Sequence, residues 1–342
     1  MESTYLKALR CEPVSHIPVW FMRQAGRYMK DFRDMREKYS FLELVHTPEL
    51  AAEVTMQPIH SFGMDAAIIF SDILVLADAF DLDFTYVDKL GPKMGRKLAC
   101  SEDLHKISLD SIDEKLSYVY DAIKCTKERL KKYRTPLIGF CGAPFTLASY
   151  CVGEDFKGDD KKAIKWFTTH QTFMHEVLEF ISQASIRYLK CQVRAGADAL
   201  QIFESWNSWL SWTSSKELSV HYIKKIIQGV KSEFKDIPIT VFGTANSIFY
   251  SQFIDSGTNA ISFDSKIELS TAREQIPQNI AVQGNLDSYY LFSDKKVLLK
   301  EVDRILLSME GKKGFIFNLG HGVMPETSED LVRCVVDRVR AR

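Results

Sequence analysis

The sequence has almost no net charge. Its 44 Lys and Arg stand against 45 Asp and Glu, which leaves −1 over 342 residues. A balance of this kind gives no general attraction to nucleic acid or to an anionic membrane, so an anion site must be a local cluster. Cysteine is present but unpatterned. Cys11, Cys100, Cys125, Cys141, Cys151, Cys191 and Cys334 are odd in number and show no Cys-x-x-Cys spacing. They read as reduced, cytosolic, mostly buried thiols rather than a disulfide framework. Long apolar runs are missing as well. The uncharged stretches 135–153 and 237–254 both contain Pro, Gly and hydroxyl or amide side chains, whereas a membrane span needs about 20 predominantly apolar residues. Residues Met1 to Glu12 have no apolar core of a secretory signal. The histidines are scattered, with no His-x-Cys or His-Glu-x-x-His spacing for a metal, and no Gly-x-Gly-x-x-Gly follows a strand-like run.

The composition is that of a soluble globular protein, 46% apolar and 26% charged. A chain of this length buries roughly three quarters of its unfolded surface. Short apolar runs read as strands at Pro18–Met22, Ala66–Phe70, Leu137–Cys141, Ala199–Phe203, Ile239–Phe242, Ala260–Phe263, Ala281–Gln283 and Phe315–Asn318. Most are continuous rather than alternating, as in parallel strands covered on both faces. Helical patterns lie between them, among them Pro48–Phe62, Leu116–Tyr133, Ile164–Ala195, Glu217–Phe234 and Lys295–Met309. Eight strand–helix units predict a single (β/α)8 TIM barrel over residues 1–342. The intervals from Ile239 to Ala260 and from Ala260 to Ala281 leave room only for short helices. An open doubly wound sheet is the alternative. Residues 154–162 form the most loop-like segment, and no internal repeat or low-complexity tract is present.

A barrel places its chemistry at the C-terminal ends of its strands. The residues after each run are polar or glycine-rich here: Arg23 and Arg27, Asp72, Gly142-Ala143-Pro144, Glu204-Ser205, Thr244, Asp264, Gly284-Asn285 and Gly320-His321-Gly322. Arg23 and Arg27 at a strand tip offer forks for carboxylates. They belong to a basic segment, with Lys30, Arg33, Arg36 and Lys38 set against Asp31, Asp34 and Glu37. Asp72 lies between Ala66-Ala67-Ile68-Ile69-Phe70 and Ile73-Leu74-Val75-Leu76. A carboxylate in such a setting is costly unless paired. It is either a helix N-cap or an acceptor facing a cationic or N–H-rich ligand. His321 between two glycines allows close backbone approach to a ligand.

Four motifs in order resemble the uroporphyrinogen decarboxylase family, from about Pro18 to the C-terminus. They are Pro18-Val19-Trp20-Phe21-Met22-Arg23-Gln24-Ala25-Gly26-Arg27-Tyr28, Phe70-Ser71-Asp72-Ile73-Leu74, Gly142-Ala143-Pro144-Phe145-Thr146-Leu147 and Asn318-Leu319-Gly320-His321-Gly322. The resemblance implies decarboxylation of the four acetates of uroporphyrinogen to methyls, giving coproporphyrinogen, in a cytoplasmic homodimer that uses no cofactor. It implies that Asp72 accepts the four pyrrole N–H groups at the centre of the macrocycle. It implies that Arg23, Arg27 and Arg36 meet substrate carboxylates, that Ser205 contacts one, and that Tyr150 and His321 belong to the site. Phe32 and Phe203 would be apolar walls, although Phe203 could equally be barrel core and Tyr150 helix core. Asp72, Arg23, Tyr150 and His321 are the candidate catalytic residues.

No feature suggests pyridoxal phosphate, thiamine diphosphate or a pyruvoyl group, so the substrate pyrrole would itself be the electron sink. Protonation at the ring carbon bearing the acetate is expected to give a cation that accepts the electrons released with carbon dioxide. The proton donor stays open between Arg23, a buried acid and a substrate carboxyl. The chain departs from the family pattern at Trp206, where many relatives have a polar residue, in the 154–162 loop, and at Ser288 in place of proline. Two rivals are a corrinoid-dependent methyltransferase, which would need His and Cys ligands for zinc where Phe242-Gly243-Thr244-Ala245-Asn246 stands, and a non-catalytic tetrapyrrole carrier.

Overall fold

The computed structural model describes residues 3–87, 91–152 and 160–342. Strand β1 is Ala67–Ile68. A separate antiparallel hairpin comes next, β2 Phe84–Val87 and β3 Gly91–Met94. The remaining strands are β4 Leu137–Gly142, β5 Ala199–Glu204, β6 Ile239–Gly243, β7 Ala260–Ser262, β8 Ala281–Leu286 and β9 Phe315–Leu319. The seven strands outside the hairpin form one parallel sheet in the order β1-β4-β5-β6-β7-β8-β9. Helices connect them, which is the TIM-barrel plan.

Pro18–Met22 closes the ring without being a full strand. Val19 forms a single parallel bridge with Phe317, with Phe317 N–H donating to the Pro18 carbonyl at 2.9 Å. On the other side Asp65 N–H donates to the Val19 carbonyl at 2.9 Å. A longer ladder does not form because side chains take the N–H groups. Val19 N–H goes to Asp65 Oδ2, Phe21 N–H to Gln24 Oε1 and Met22 N–H to Asn318 Oδ1. The run is buried, as expected of a strand, but its donors are satisfied by Asp, Gln and Asn.

The core has two parts. Inside the barrel lie Tyr5, Leu9, Trp20, Met22, Ile138, Phe242 and Ile316. Ala199, Ala260 and Ala281 begin β5, β7 and β8, and Ala66 precedes β1. Their small side chains leave room at the N-terminal end, and the helix Thr4–Leu9 fills it. The second part is the larger layer between strands and surrounding helices.

The helix Pro48–Phe62 has the bounds its sequence suggests. Pro48 opens it and Gly63, at φ 68°, ends it in the left-handed conformation. The pattern 164–195 is two helices, Asp160–Thr169 and Gln171–Ala195, interrupted at His170. The pattern 217–234 begins as a wide π turn, Ser215–Val220, before the helix His221–Lys231. Only short helices fit the two narrow intervals, Asn246–Phe253 and Leu269–Gln275. Of the segment expected to be loop, 160–162 belong to a helix and 154–159 lie outside the described residues. Among the described residues no helix is long and apolar enough to cross a membrane.

Candidate active site

The strand ends are stitched together by close packing. A Cβ on Gly142, which ends β4, would sit 3.2 Å from the Ile73 carbonyl, so the Asp72 loop lies directly against β4. A Cβ on Gly320 would meet the Ser265 backbone nitrogen at 2.5 Å. One on Gly322 would run into the aliphatic stem of Arg23, 2.7 Å from its Cγ. The glycines around His321 were expected to admit a ligand. What they admit in the structure is the loop after β7 and the Arg23 side chain.

Arg23 is the hub. Its backbone lies in the left-handed region at φ 58°, uncommon for a residue with a Cβ. Strain of this kind persists where the surroundings over-determine a conformation. Here the Gln24 side chain does so, accepting Phe21 N–H and donating to the Ala66 carbonyl. The guanidinium is exposed and acts electrostatically on both Asp72 and His321.

Asp72 is half-buried. Burial raises its pKa, opposed by Leu74 N–H, which donates to Oδ1 at 2.8 Å, and by Arg23. The Leu74 bond closes a turn ahead of the short helix Val75–Asp78, so the local structural role weighed from sequence is present. It uses one carboxylate oxygen. The other accepts no hydrogen bond among the described residues. Behind Asp72 the buried Tyr118 hydroxyl has no hydrogen-bond partner, and Asp78 and Asp72 add to the burial that raises its pKa. His321 is exposed, and partial desolvation and Arg23 lower its pKa. Its carbonyl accepts from Ser288 Oγ at 3.1 Å, so the serine found in place of proline has a partner.

The apolar walls form two groups. Phe32, on the helix Lys30–Arg36, is buried edge-on against Phe70 at 5.7 Å, just before Asp72. Phe203 is half-buried between Phe140 and Phe242, so it lies both at the strand end and on the barrel core. Tyr150, on the helix Pro144–Cys151, packs on Trp206 at 6.2 Å, and Trp206 stacks on Trp209. Ser205 N–H donates to Thr146 Oγ1 and the Ser205 carbonyl accepts from Thr244 Oγ1, which fixes the loop after β5.

The structure thus joins Arg23, Asp72 and His321 at one locus, and Tyr150, Ser205 and Trp206 at another across β4 and β5. Arg27 and Arg36 lie further along the same segment, on the turn after Arg23 and on the helix Lys30–Arg36. Arg27 is exposed on the turn, its carbonyl accepting from Arg33, and Arg36 donates to the Tyr39 carbonyl. Sequence reading singled out neither Tyr118 nor Gln24, and placed Glu204 at a strand end without giving it a role. A buried acid at a strand end was the available signal for Glu204. Among the described residues no cluster of three His, Cys, Asp or Glu could hold a metal ion.

Comparison with known proteins places the chain in a family. The sequence profile of the family described as uroporphyrinogen decarboxylase matches residues 1–342. A uroporphyrinogen decarboxylase of Protochlamydia amoebophila is 42% identical over 337 residues, covering 98% of this chain and 91% of that protein. One from Chlorobium chlorochromatii is 40% identical over 339 residues, covering 98% and 96%. Among solved structures, a methyltransferase from Methanosarcina mazei superposes with a TM-score of 0.82 at 21% identity, covering 99% of this chain and 98% of that one. That likeness establishes the barrel and nothing finer. A profile match along the whole chain, with these identities over nearly all of it, means that the chain belongs to the uroporphyrinogen decarboxylase family.

Proposed function

We propose that this enzyme removes the acetate carboxyls of uroporphyrinogen at the mouth of the barrel, with Asp72 at the centre of the site. The observation that carries the assignment is a half-buried carboxylate with one oxygen uncommitted and a guanidinium, Arg23, nearby. A reduced tetrapyrrole points its N–H donors inward, and a single central acceptor suits them. Arg23, Arg27 and Arg36 lie on the segment after Pro18–Met22, where they would meet the carboxylates at the macrocycle's edge. Ser205, Tyr150 and His321 would contact it from the ends of β5, β4 and β9, and Phe32 and Phe203 would line its faces.

The chemistry balances without an added electron sink. A proton adds to the pyrrole carbon next to the one carrying the acetate. This corrects the position expected from the sequence, because the acetate-bearing carbon must keep a bond for the double bond that forms. The C–CO2 bond breaks, and its electron pair becomes an exocyclic C=C that neutralises the ring cation. The methylene then takes a proton and the ring carbon returns one. The net change is acetate plus a proton to methyl plus carbon dioxide.

Asp72 offsets the cation. A charge pair at about 4 Å and an effective dielectric near 20 is worth about 4 kcal/mol, against on the order of 20 kcal/mol for very slow reactions. Positioning and exclusion of water supply much of the remainder. No cofactor is part of this reading.

The test is Asp72→Asn assayed on uroporphyrinogen after exhaustive chelation and dialysis, beside a melting curve. We expect release of carbon dioxide by the parent, near-complete loss in the variant, and a melting temperature equal to the parent's or higher at pH 8. A variant that melts far lower makes Asp72 a structural cap. A dialysed parent that binds uroporphyrinogen without releasing carbon dioxide makes the protein a carrier.

The same reading takes residues 1–342 as one domain, supported by the bridge between Val19 and Phe317 at opposite ends of the chain. It takes the enzyme to be cytoplasmic, supported by unpaired thiols, of which Cys141 and Cys151 have pKa values pushed up to about 12 by burial. It takes the working form as a homodimer with the two barrel mouths facing. The support is apolar residues exposed on that side: Trp212 after β5, Ile248 after β6, and Tyr289 and Phe292 after β8.

A further inference from the structure

Glu204 ends β5 and is fully buried, yet no part of the reaction above uses it. Three groups from three segments point donors at it. Thr146 Oγ1, on the helix that carries Tyr150, donates to Oε1 at 2.5 Å. Trp206 N–H donates to the same oxygen at 3.3 Å. Ser219 Oγ, on the π turn Ser215–Val220, donates to Oε2 at 2.9 Å.

The Thr146 hydroxyl is shared. It accepts Ser205 N–H at 2.8 Å, so its own hydrogen is committed to Glu204. A hydroxyl has one hydrogen to give, and Glu204 therefore decides which way Thr146 presents its lone pairs to Ser205. The residues on either side of Ser205 are then fixed through one carboxylate: Glu204 itself in the strand and Trp206 through its N–H. Tyr150 lies one turn beyond Thr146 on the same helix and packs on Trp206. No other buried carboxylate among the described residues joins three segments around a candidate substrate contact in this way.

We propose that Glu204 is a positioning residue for substrate binding, holding Ser205 and the Tyr150–Trp206 pair in register through Thr146. The inference rests on the reading of Ser205 as a substrate contact. It assigns Glu204 no contact with the macrocycle. Its loss should appear mainly in KM, because the contact being aligned holds the substrate and takes no part in the proton transfers or the bond cleavage proposed above. Burial raises the Glu204 pKa to about 7. Glutamine keeps the shape but has one acceptor oxygen and an NH2 group, so Glu204→Gln breaks part of the network without leaving a cavity.

The experiment is a double-mutant cycle between Glu204→Gln and Ser205→Ala, with kcat and KM for uroporphyrinogen measured separately and a melting curve for each protein. Neighbours acting through one interaction are non-additive, and independent sites are additive. We expect each single variant to raise KM severalfold to tenfold with kcat changed less than threefold. The double variant should be no worse than Ser205→Ala alone. Thr146→Val breaks the same relay from the other side and should reproduce the Glu204→Gln effect, which keeps the test decisive if Glu204→Gln folds poorly. Full additivity, with Ser205→Ala raising KM, overturns the role of Glu204 while leaving the site reading intact. An unchanged KM in Ser205→Ala overturns the reading of Ser205, and the inference falls with it.

Discussion

Asp72 and Glu204 are both carboxylates at strand ends with pKa values raised by burial, but their surroundings differ in kind. Asp72 receives one N–H and stands near a guanidinium, with an oxygen uncommitted. Glu204 has its hydrogen bonds filled from within the protein. The first arrangement suits a group that waits for a ligand, and the second suits one that holds its neighbours. The two also differ in what titration does to stability. The Glu204 pKa is about 7 in the folded protein against an ordinary value of 4.5. Between those values the folded state binds more protons than the unfolded chain, so this residue lowers stability as pH rises from about 4.5 to 7. Glu204→Gln does not titrate and loses that slope. Its melting temperature relative to the parent is expected to climb between pH 5 and pH 8, by an amount equivalent to a few kcal/mol at most, at about 1.4 kcal/mol per pKa unit. Urea or thermal melts at both pH values check this. A constant difference between the two proteins would mean that Glu204 stays ionised throughout.

At the scale of elements, the Asn318–Gly322 segment shows how a strand end positions a distant side chain. Gly320 and Gly322 both lack room for a Cβ, with different neighbours. Gly320 faces the Ser265 backbone, which cannot give without moving the loop after β7. Gly322 faces the stem of Arg23, which can swing away at the cost of its place beside Asp72 and His321. Gly320→Ala is therefore expected to cost stability, about 1–3 kcal/mol as overpacking does. Gly322→Ala should melt close to the parent and lose activity about as severely as Arg23→Ala. Melting curves and turnover on the three variants separate these outcomes. Equal melting losses in both glycine variants would remove Arg23 from the explanation.

Elements were legible in the sequence where local chemistry marks them. Pro48 and Gly63 bracket their helix, and Leu137–Cys141 and, apart from Gln201, Ala199–Phe203 lack polar side chains because both faces are covered. Their ends name most of the candidate site, since polar residues after buried runs have few other places to be. What was not legible depends on partners far away in the chain. Met22 N–H finds Asn318 across 296 residues, and Pro18–Met22 closes the barrel through a single bridge and side-chain hydrogen bonds rather than a full ladder. Thr146, Glu204 and Ser219 meet only once β4, β5 and the π turn are packed. The hairpin Phe84–Val87 with Gly91–Met94 lies outside the barrel repeat, so the alternation of strands and helices gave no reason to expect it.

For the whole molecule, the distribution of exposed apolar surface matters more than its amount. Several large apolar side chains are exposed elsewhere, among them Tyr133 and Leu307, and scattered residues of this kind need no explanation. Trp212, Ile248, Tyr289 and Phe292 are different, because they come after three barrel strands on the side where Asp72 and His321 lie. They are 52%, 61%, 67% and 44% exposed. Trp212 and Ile248 belong to adjoining surface, since Trp212 packs on Phe249 at 5.9 Å and its carbonyl accepts from Gln252. Tyr289 and Phe292 pack on each other at 6.2 Å. A rim of this composition suits an interface between copies, with aromatic side chains as anchors. A symmetric pairing would use the same rim twice, turn the two mouths toward each other, and shelter a large, partly decarboxylated tetrapyrrole between turnovers. Trp212→Glu together with Ile248→Glu places like charges opposite each other, or an unpaired charge against apolar surface, whichever residues face each other in such an interface, while touching no candidate site residue. Sedimentation at micromolar concentration is expected to give a dimer for the parent and a monomer for the double variant. The monomer should keep its first decarboxylation and release more partly decarboxylated product. A parent that sediments as a monomer ends the dimer proposal. A variant that stays dimeric moves the interface to another face, and the rim would then need a different partner.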